Sequence, residues 1–274
     1  MQIIYSTIAD MDYNAPLPFT IDTEAILKSI VSFPNGSGGG PDGLLPQHLT
    51  DLTGPTAGDG GVSLLTSLVG LVTLILEGKV PSAIRPLFFG ANLTALTKDG
   101  GIRPIAVGCT LRRLASKCAC LHALGVYPPT PAPHQLRFGV PGGREAAVHA
   151  ARNYLSHSPS QKALLKVDFK NAFNSISRAK MLEATEAYIP DLLPFVHSIP
   201  SILLWDGDQV LSSEGLQEAD PLGPILFCLM IHELVSSIAS EFKLFYLDDG
   251  TMGGDLEDLT VKLKTIEEQA GPGV

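Results

Sequence analysis

Two aspartates stand side by side at the end of an apolar run, in Tyr246-Leu247-Asp248-Asp249 followed by Gly250. Adjacent carboxylates repel each other unless something offsets their charge. Alone, the tetrapeptide reads most simply as a polar hairpin turn. Asp168 changes that reading, because it too closes an apolar run, Leu164-Leu165-Lys166-Val167, and is followed by Phe169-Lys170-Asn171-Ala172-Phe173. Three carboxylates at the ends of strands can share one site. Such a site suits hard divalent cations, which take oxygen ligands and keep positions open for phosphate. Two such ions about 4 Å apart activate an attacking hydroxyl and stabilise a departing phosphate oxygen.

The elements that must carry these residues follow from periodicity and turn chemistry. Asp22 is placed to cap a helix running to about Phe33, with Ala25, Ile26, Ile30 and Val31 on one face. A Gly-rich loop follows at 35–43, then a short helix at 45–52 and a long apolar one at 62–78. Residues 87–97 and 102–107 read as strands joined by the Asp-Gly turn of Lys98-Asp99-Gly100-Gly101. Helices fit 110–124 and 144–156, and residues 163–169 read as a buried strand. Helices near 177–188 and 190–198 precede a hairpin at 202–212. A mostly apolar helix is expected over 220–240, a third hairpin over 243–254, and a final helix from Asp255 to about Gln269. Strands and helices mix without a strict alternating rhythm, which favours the α+β class. Residues 1–20 and 127–133 read as irregular.

Composition narrows the function classes. The 274 residues are 45% hydrophobic and 17% charged, which excludes disorder over most of the length. Four cysteines are too few for a disulfide scaffold and read as thiols of a reducing compartment. The opening residues lack the basic and apolar regions of a secretory signal, so an intracellular protein, nuclear or cytoplasmic, is expected. Residues 60–76 carry no charge over 17 positions. That run reads as a buried core helix and not as a membrane span.

The net charge of −9 is unevenly spread. Residues 1–78 carry net −7 and residues 181–274 net −14, whereas residues 79–180 carry net +12. A basic middle third in an acidic chain reads as a localised polyanion site. Arg112, Arg113 and Lys117 lie in this third on one helix. They read as contacts to a template backbone or as solvated charge.

Five segments, taken in order, resemble the reverse transcriptase family in its non-LTR retroelement branch. They are GGGPDGLLPQHL (38–49), TKDGGIRPIAVG (97–108), VDFKNAFNSISR (167–178), GLQEADPLGPILF (215–227) and YLDDG (246–250). The resemblance spans about 36–269 and implies the fingers and palm of a right-hand polymerase, with an antiparallel palm sheet and packed helices. Residues 1–35 are then an N-terminal helical extension and 36–274 the fingers and palm. The resemblance implies that Asp168 and Asp248 bridge two Mg²⁺ ions, with Asp249 as a weaker ligand. Phe173 matches the aromatic under the incoming sugar, which favours deoxynucleotides. Lys98 and Arg103 match the pair that holds the triphosphate. The implied partners are deoxynucleoside triphosphates and an RNA or DNA template-primer.

The sequence departs from the family pattern in two places. The glutamine-glycine pair before Asp220-Pro221-Leu222-Gly223 is Glu218-Ala219, which adds a negative charge and a methyl group at the nucleotide. If that backbone needs positive φ, Ala219 is also strained. The pattern also continues past AGPGV (270–274) into the end of the palm and a thumb, so a truncated copy of a larger polymerase is expected. Two function classes therefore stay open. One is an RNA-directed DNA polymerase domain of weak or absent activity. The other is a non-catalytic retroelement-derived remnant that at most binds nucleic acid.

Overall fold

The structure is a computed structural model that describes residues 19–98, 101–126, 134–158, 162–196 and 201–270. The expected turn at Asp99-Gly100 and the expected irregular segments 1–18 and 127–133 lie outside the described residues. Helices and two sheets give a mixed α and β architecture.

The first sheet has the order β2-β1-β4-β5. Strands β1 (Ala91–Lys98) and β2 (Gly101–Gly108) pair antiparallel along their full length, from Ala91 opposite Gly108 to Lys98 opposite Gly101. The second hairpin, β4 (Ser201–Trp205) and β5 (Asp208–Ser212), joins β1 through a parallel register at Ala91↔Leu203 and Asn92↔Leu204. The hairpin turn is made by Asp206 and Gly207, both at positive φ. β1 starts at Ala91, later than expected, because 85–88 form a helical turn. Gly90 makes the junction possible: a Cβ there would lie 2.4 Å from the Ile202 carbonyl oxygen.

The second sheet is antiparallel, in the order β3-β7-β6. It comprises β3 (Lys162–Asp168), β6 (Phe242–Tyr246) and β7 (Asp249–Asp255). Strand β3 was expected to be buried, but it lies at the sheet edge and of its residues only Val167 is buried. The central strand is rich in glycine because aromatic rings lie on it. A Cβ on Gly250 would sit 2.5 Å from the Phe245 ring, and one on Gly253 2.5 Å from the Tyr154 ring. Tyr154 in turn stacks on Phe242 at 4.9 Å.

Most of the helices share one hydrophobic core with the second sheet, which contributes Val167, Phe245 and Met252. Asp22 caps the Thr23–Val31 helix, its carboxylate accepting from the Ala25 amide at 2.7 Å. This helix packs with Gly58–Leu76 and Thr110–Val126 through Ile26, Ile30, Val72, Ile75, Leu114 and Cys118. Ala115, Ala119 and Ala123, four apart, present a smooth buried stripe.

Two helical expectations need correction. The Gly58–Leu76 helix is not buried all round. It inserts Leu68, Val72, Ile75 and Leu76, while Val62 is 64% and Leu74 48% exposed. By length and composition it could cross a membrane, with 28% of its most apolar window buried. Its hydroxyls at Thr66, Ser67 and Thr73 return their hydrogen bonds to carbonyls one turn back, which hides polarity in the helix. The 220–240 helix begins only at Gly223 and is divided into Gly223–Met230 and His232–Ser237. Asp220 is held in the preceding turn, where its carboxylate accepts from the Leu222 amide at 3.0 Å. The helical track persists across the division, because Ile231 donates to Phe227 and Val235 to Ile231.

All four thiols have pKa values raised by burial, those of Cys120 and Cys228 to about 12. The thiolate is the reactive form. The native protein is therefore expected to react slowly with a disulfide reagent at pH 8, and completely once urea unfolds it. Rapid titration of all four in the native state would contradict the packing described above.

Candidate active site

Strand β3 delivers Asp168 at its last position, and β7 begins at Asp249 directly opposite it. Opposed residues of an antiparallel pair have Cα atoms about 4.5–5.5 Å apart and side chains on one face. Between β6 and β7 the chain reverses at Leu247 and Asp248, with Leu247 at φ 57. The Phe169 amide donates to the Asp248 carbonyl at 3.4 Å, which ties the end of β3 to this turn. The structure thus brings Asp168, Asp248 and Asp249 to one end of one sheet, across 80 residues of sequence between the first two.

The three carboxylates differ in their surroundings. Asp248 is half-buried, and its carboxyl is raised above the usual carboxylate range. Burial is the main cause, with Asp249 and Asp168 adding repulsion and Arg103 opposing it. Asp249 is exposed and sits 3.4 Å from Lys166, a surface pair of small energetic weight. Asp168 is exposed and faces a cleft of about 690 Å³.

That cleft is lined by Asp168, Asp248, Arg103, Phe173 and Glu218, and also by Lys170, Asn171 and Asn174. Arg103 comes from the exposed outer part of β2. Lys98 pairs with Gly101 through its backbone, and its side chain lies outside the described residues. Phe173 stacks on Phe227 at 4.9 Å, so one face of its ring is fixed by the core. Backbone bonds from Gly215 to Ile176 and from Leu216 to Phe173 bring the 215–219 segment over this floor. Glu218 then accepts from Asn174 Nδ2 at 3.4 Å. Ala219 is half-buried and outside the cleft lining, and its φ is not positive. Backbone strain at Ala219 is therefore absent.

Part of the basic third turns inward. Arg112 pairs with Asp220 at 2.5 Å and donates to the Phe89 carbonyl and to Gln217. Arg113 is buried, bonding the Gly38 carbonyl and Thr110. Lys117 donates to Ser32 and lies over the Phe33 ring. Of these three, read as template contacts or solvated charge, Arg112 and Arg113 instead turn their charge to carbonyls and a carboxylate within the fold, while Lys117 is partly exposed. Arg178 is likewise buried against residues 212–215. Exposed cations remain at Lys79, Arg103, Arg137, Arg144, Arg152, Lys166, Lys170 and Lys180. Arg137 and Arg144 both lie over the Tyr246 ring, and Arg144 donates to its hydroxyl.

The oxygen donors Asp168 and Asp248 suit a hard divalent cation. Among the described residues, no three Asp, Glu, His or Cys side chains are gathered into a ready metal cage.

Residues 96–270 match the family model for reverse transcriptase (RNA-dependent DNA polymerase). This covers more than half of the chain. The chain belongs to the reverse transcriptase family. It is also similar to the retrotransposable element SLACS 132 kDa protein of Trypanosoma brucei gambiense, at 26% identity over 93% of this chain. The chain spans 22% of that relative's length. In this reverse transcriptase chain, motif spacing pointed to Asp168, Asp248, Arg103, Phe173 and Glu218 of the cleft but missed Asn171 and Asn174. Asn171, at φ 53, had a usable signal, since asparagine tolerates the left-handed region after a strand.

Proposed function

We propose that this chain is the fingers and palm of an RNA-directed DNA polymerase of a non-LTR retrotransposon. Its substrates would be deoxynucleoside triphosphates and a primed template, within the cell. The observation that carries the reading is the register of Asp168 opposite Asp249, with Asp248 on the intervening turn and Arg103 across the cleft. The β1–β2 hairpin corresponds to fingers and the β3-β7-β6 sheet to palm. The Thr23–Val31 helix shares the main core, so residues 19–35 are an extension packed onto this body.

In this reading the primer 3′-hydroxyl attacks the α-phosphate and pyrophosphate leaves. Asp168 and Asp248 would hold two Mg²⁺ ions, which neutralise phosphate charge and ease loss of the hydroxyl proton. Arg103 offers a planar fork to the phosphates. Phe173, braced by Phe227, supports the sugar and leaves little space for a 2′-hydroxyl. Positioning and charge neutralisation supply the catalysis. The test is primer extension on RNA with Mg²⁺ and deoxynucleotides, with an Asp248→Asn blank. Product that persists in the blank would refute the assignment.

Glu218 favours a second reading, a remnant that binds nucleic acid without chemistry, because its carboxylate lines the same cleft. Glu218→Gln separates the two. A gain in single-nucleotide addition supports the polymerase, whereas no product from either form supports the remnant.

Template binding should weaken steeply with salt, because each bound phosphate releases counterions. Arg137→Ala and Arg144→Ala are each expected to flatten the log–log salt dependence by about one. Lys79→Ala should not, since Lys79 is paired with Glu77 at 2.9 Å. Equal slopes in all three variants would show that Arg137 and Arg144 do not contact the template.

A further inference from the structure

We propose that Gln135 is a positioning residue that holds the turn carrying Asp248, an assignment that rests on the polymerase reading of the cleft. Gln135 is 2% exposed, and its side-chain amide grips the backbone of Leu247 at both polar groups. Oε1 accepts from the Leu247 amide at 2.9 Å, and Nε2 donates to the Leu247 carbonyl at 3.3 Å. Leu247 lies at φ 57, a left-handed conformation that side chains other than glycine, asparagine and aspartate rarely adopt. It has no place in the ladder between β6 and β7, whose last pair is Tyr246↔Asp249. Its N–H and C=O would otherwise lack a strand partner.

The grip is itself anchored. Gln135 forms a parallel bridge with Phe245. The Phe245 amide donates to the His134 carbonyl at 2.6 Å, and the Leu136 amide to the Phe245 carbonyl at 2.8 Å. Residues 134–136 thus run as a short extra strand beside β6, and only the middle side chain reaches past its end to the turn. Just beyond, Gly143 allows the next helix to press on this segment: a Cβ there would lie 1.9 Å from the Leu136 carbonyl oxygen. Helix, extra strand and turn form one chain of contacts ending one residue before Asp248. The amide replaces the neighbouring strand that Leu247 lacks, and it fixes the direction in which Asp248 leaves the turn.

Gln135→Met keeps the volume and removes both hydrogen bonds to Leu247, along with the longer one that Oε1 accepts from the Arg137 amide at 3.4 Å. It is expected to lower the rate of nucleotide addition by about 10–100-fold, as small misplacements of reacting groups do, with little change in KM for template-primer. Glycine reaches positive φ unaided. Adding Gln135→Met to a Leu247→Gly protein should therefore lower its rate less than about threefold, a coupling that a double-mutant cycle reads directly. Equal losses in both backgrounds would mean that Gln135 serves general packing, and the proposal would fall. A second readout needs no activity. Carbon shifts and amide scalar coupling report the φ of Leu247, which should leave the left-handed region in Gln135→Met. An unmoved Leu247 overturns the proposal even in an active enzyme. A Leu247 that moves in a protein inert toward primer extension sustains the grip and refutes the polymerase reading.

Discussion

Asp248→Asn is expected to abolish primer extension, by on the order of a thousandfold or more, while leaving the protein as stable as before or more so. The activity side follows from the site: two hard ligands face the cleft, and losing one charge removes several kcal/mol of phosphate neutralisation, at about 1.4 kcal/mol per tenfold. The stability side follows from electrostatics. Asp248 has a folded pKa raised by burial and by its two acidic neighbours. A carboxyl raised in the folded state binds its proton more tightly there than when unfolded. Its contribution is therefore favourable below its unfolded pKa and is lost as pH rises through the raised value. At neutral pH the ionised group opposes folding, and asparagine, which has the same shape without the charge, relieves that opposition. Asp168→Asn should match the loss of activity. Asp249→Asn should cost less, because Asp249 turns toward Lys166 and lies outside the cleft lining. Thermal melts beside extension rates check both sides. An Asp248→Asn protein that extends primers normally would sink the site assignment, and one that melts far lower would show that Asp248 serves the fold.

The largest effect on stability is expected at Arg112 and Asp220. Their side chains are 12% and 10% exposed and pair at 2.5 Å. Removing one partner leaves a buried charge without compensation, which costs about 3–5 kcal/mol. Domains of this kind hold only about 5–15 kcal/mol in total. Arg112→Met also strips a donor from the Phe89 carbonyl and from Gln217, which itself donates to Phe89 at 2.7 Å. Asp220→Asn weakens the pair and keeps the turn bond to Leu222. The double change Arg112→Met, Asp220→Leu should recover much of the loss, since an apolar pair carries no desolvation penalty. Urea unfolding of the three variants checks this. Single variants within about 1 kcal/mol of the parent would mean that the pair is solvated in solution.

The carboxylates were legible in the sequence because each ends an apolar run, and a strand end has few places to be. The roles of the arginines were not. Charge type indicates that a guanidinium wants acceptors, but it does not distinguish a phosphate in solution from a carbonyl in the core. Arg112 and Arg113 found theirs inside, at Phe89 and Gly38. Gln135 was silent for a related reason: a lone amide between His134 and Leu136 has no periodicity, and its target lies 112 residues away. The β4–β5 hairpin was readable from its Asp206-Gly207 turn, yet the parallel junction of β1 with β4 involves two residue pairs and leaves no pattern. The outward apolar face of Gly58–Leu76 was misread because hydropathy measures affinity for a core and not the number of neighbours available.

That two-residue junction has a mechanical consequence. The β1–β2 hairpin is built in at its root, where Ala91 and Asn92 meet β4, and projects freely beyond it. Residues Thr94–Thr97 and Gly101–Pro104 are exposed, so the outer half is a ribbon without a core behind it. It is a cantilever with Arg103 near its free end, facing the β3-β7-β6 sheet across the cleft. Bending of this two-stranded ribbon would change the width of the gap between Arg103 and Asp168.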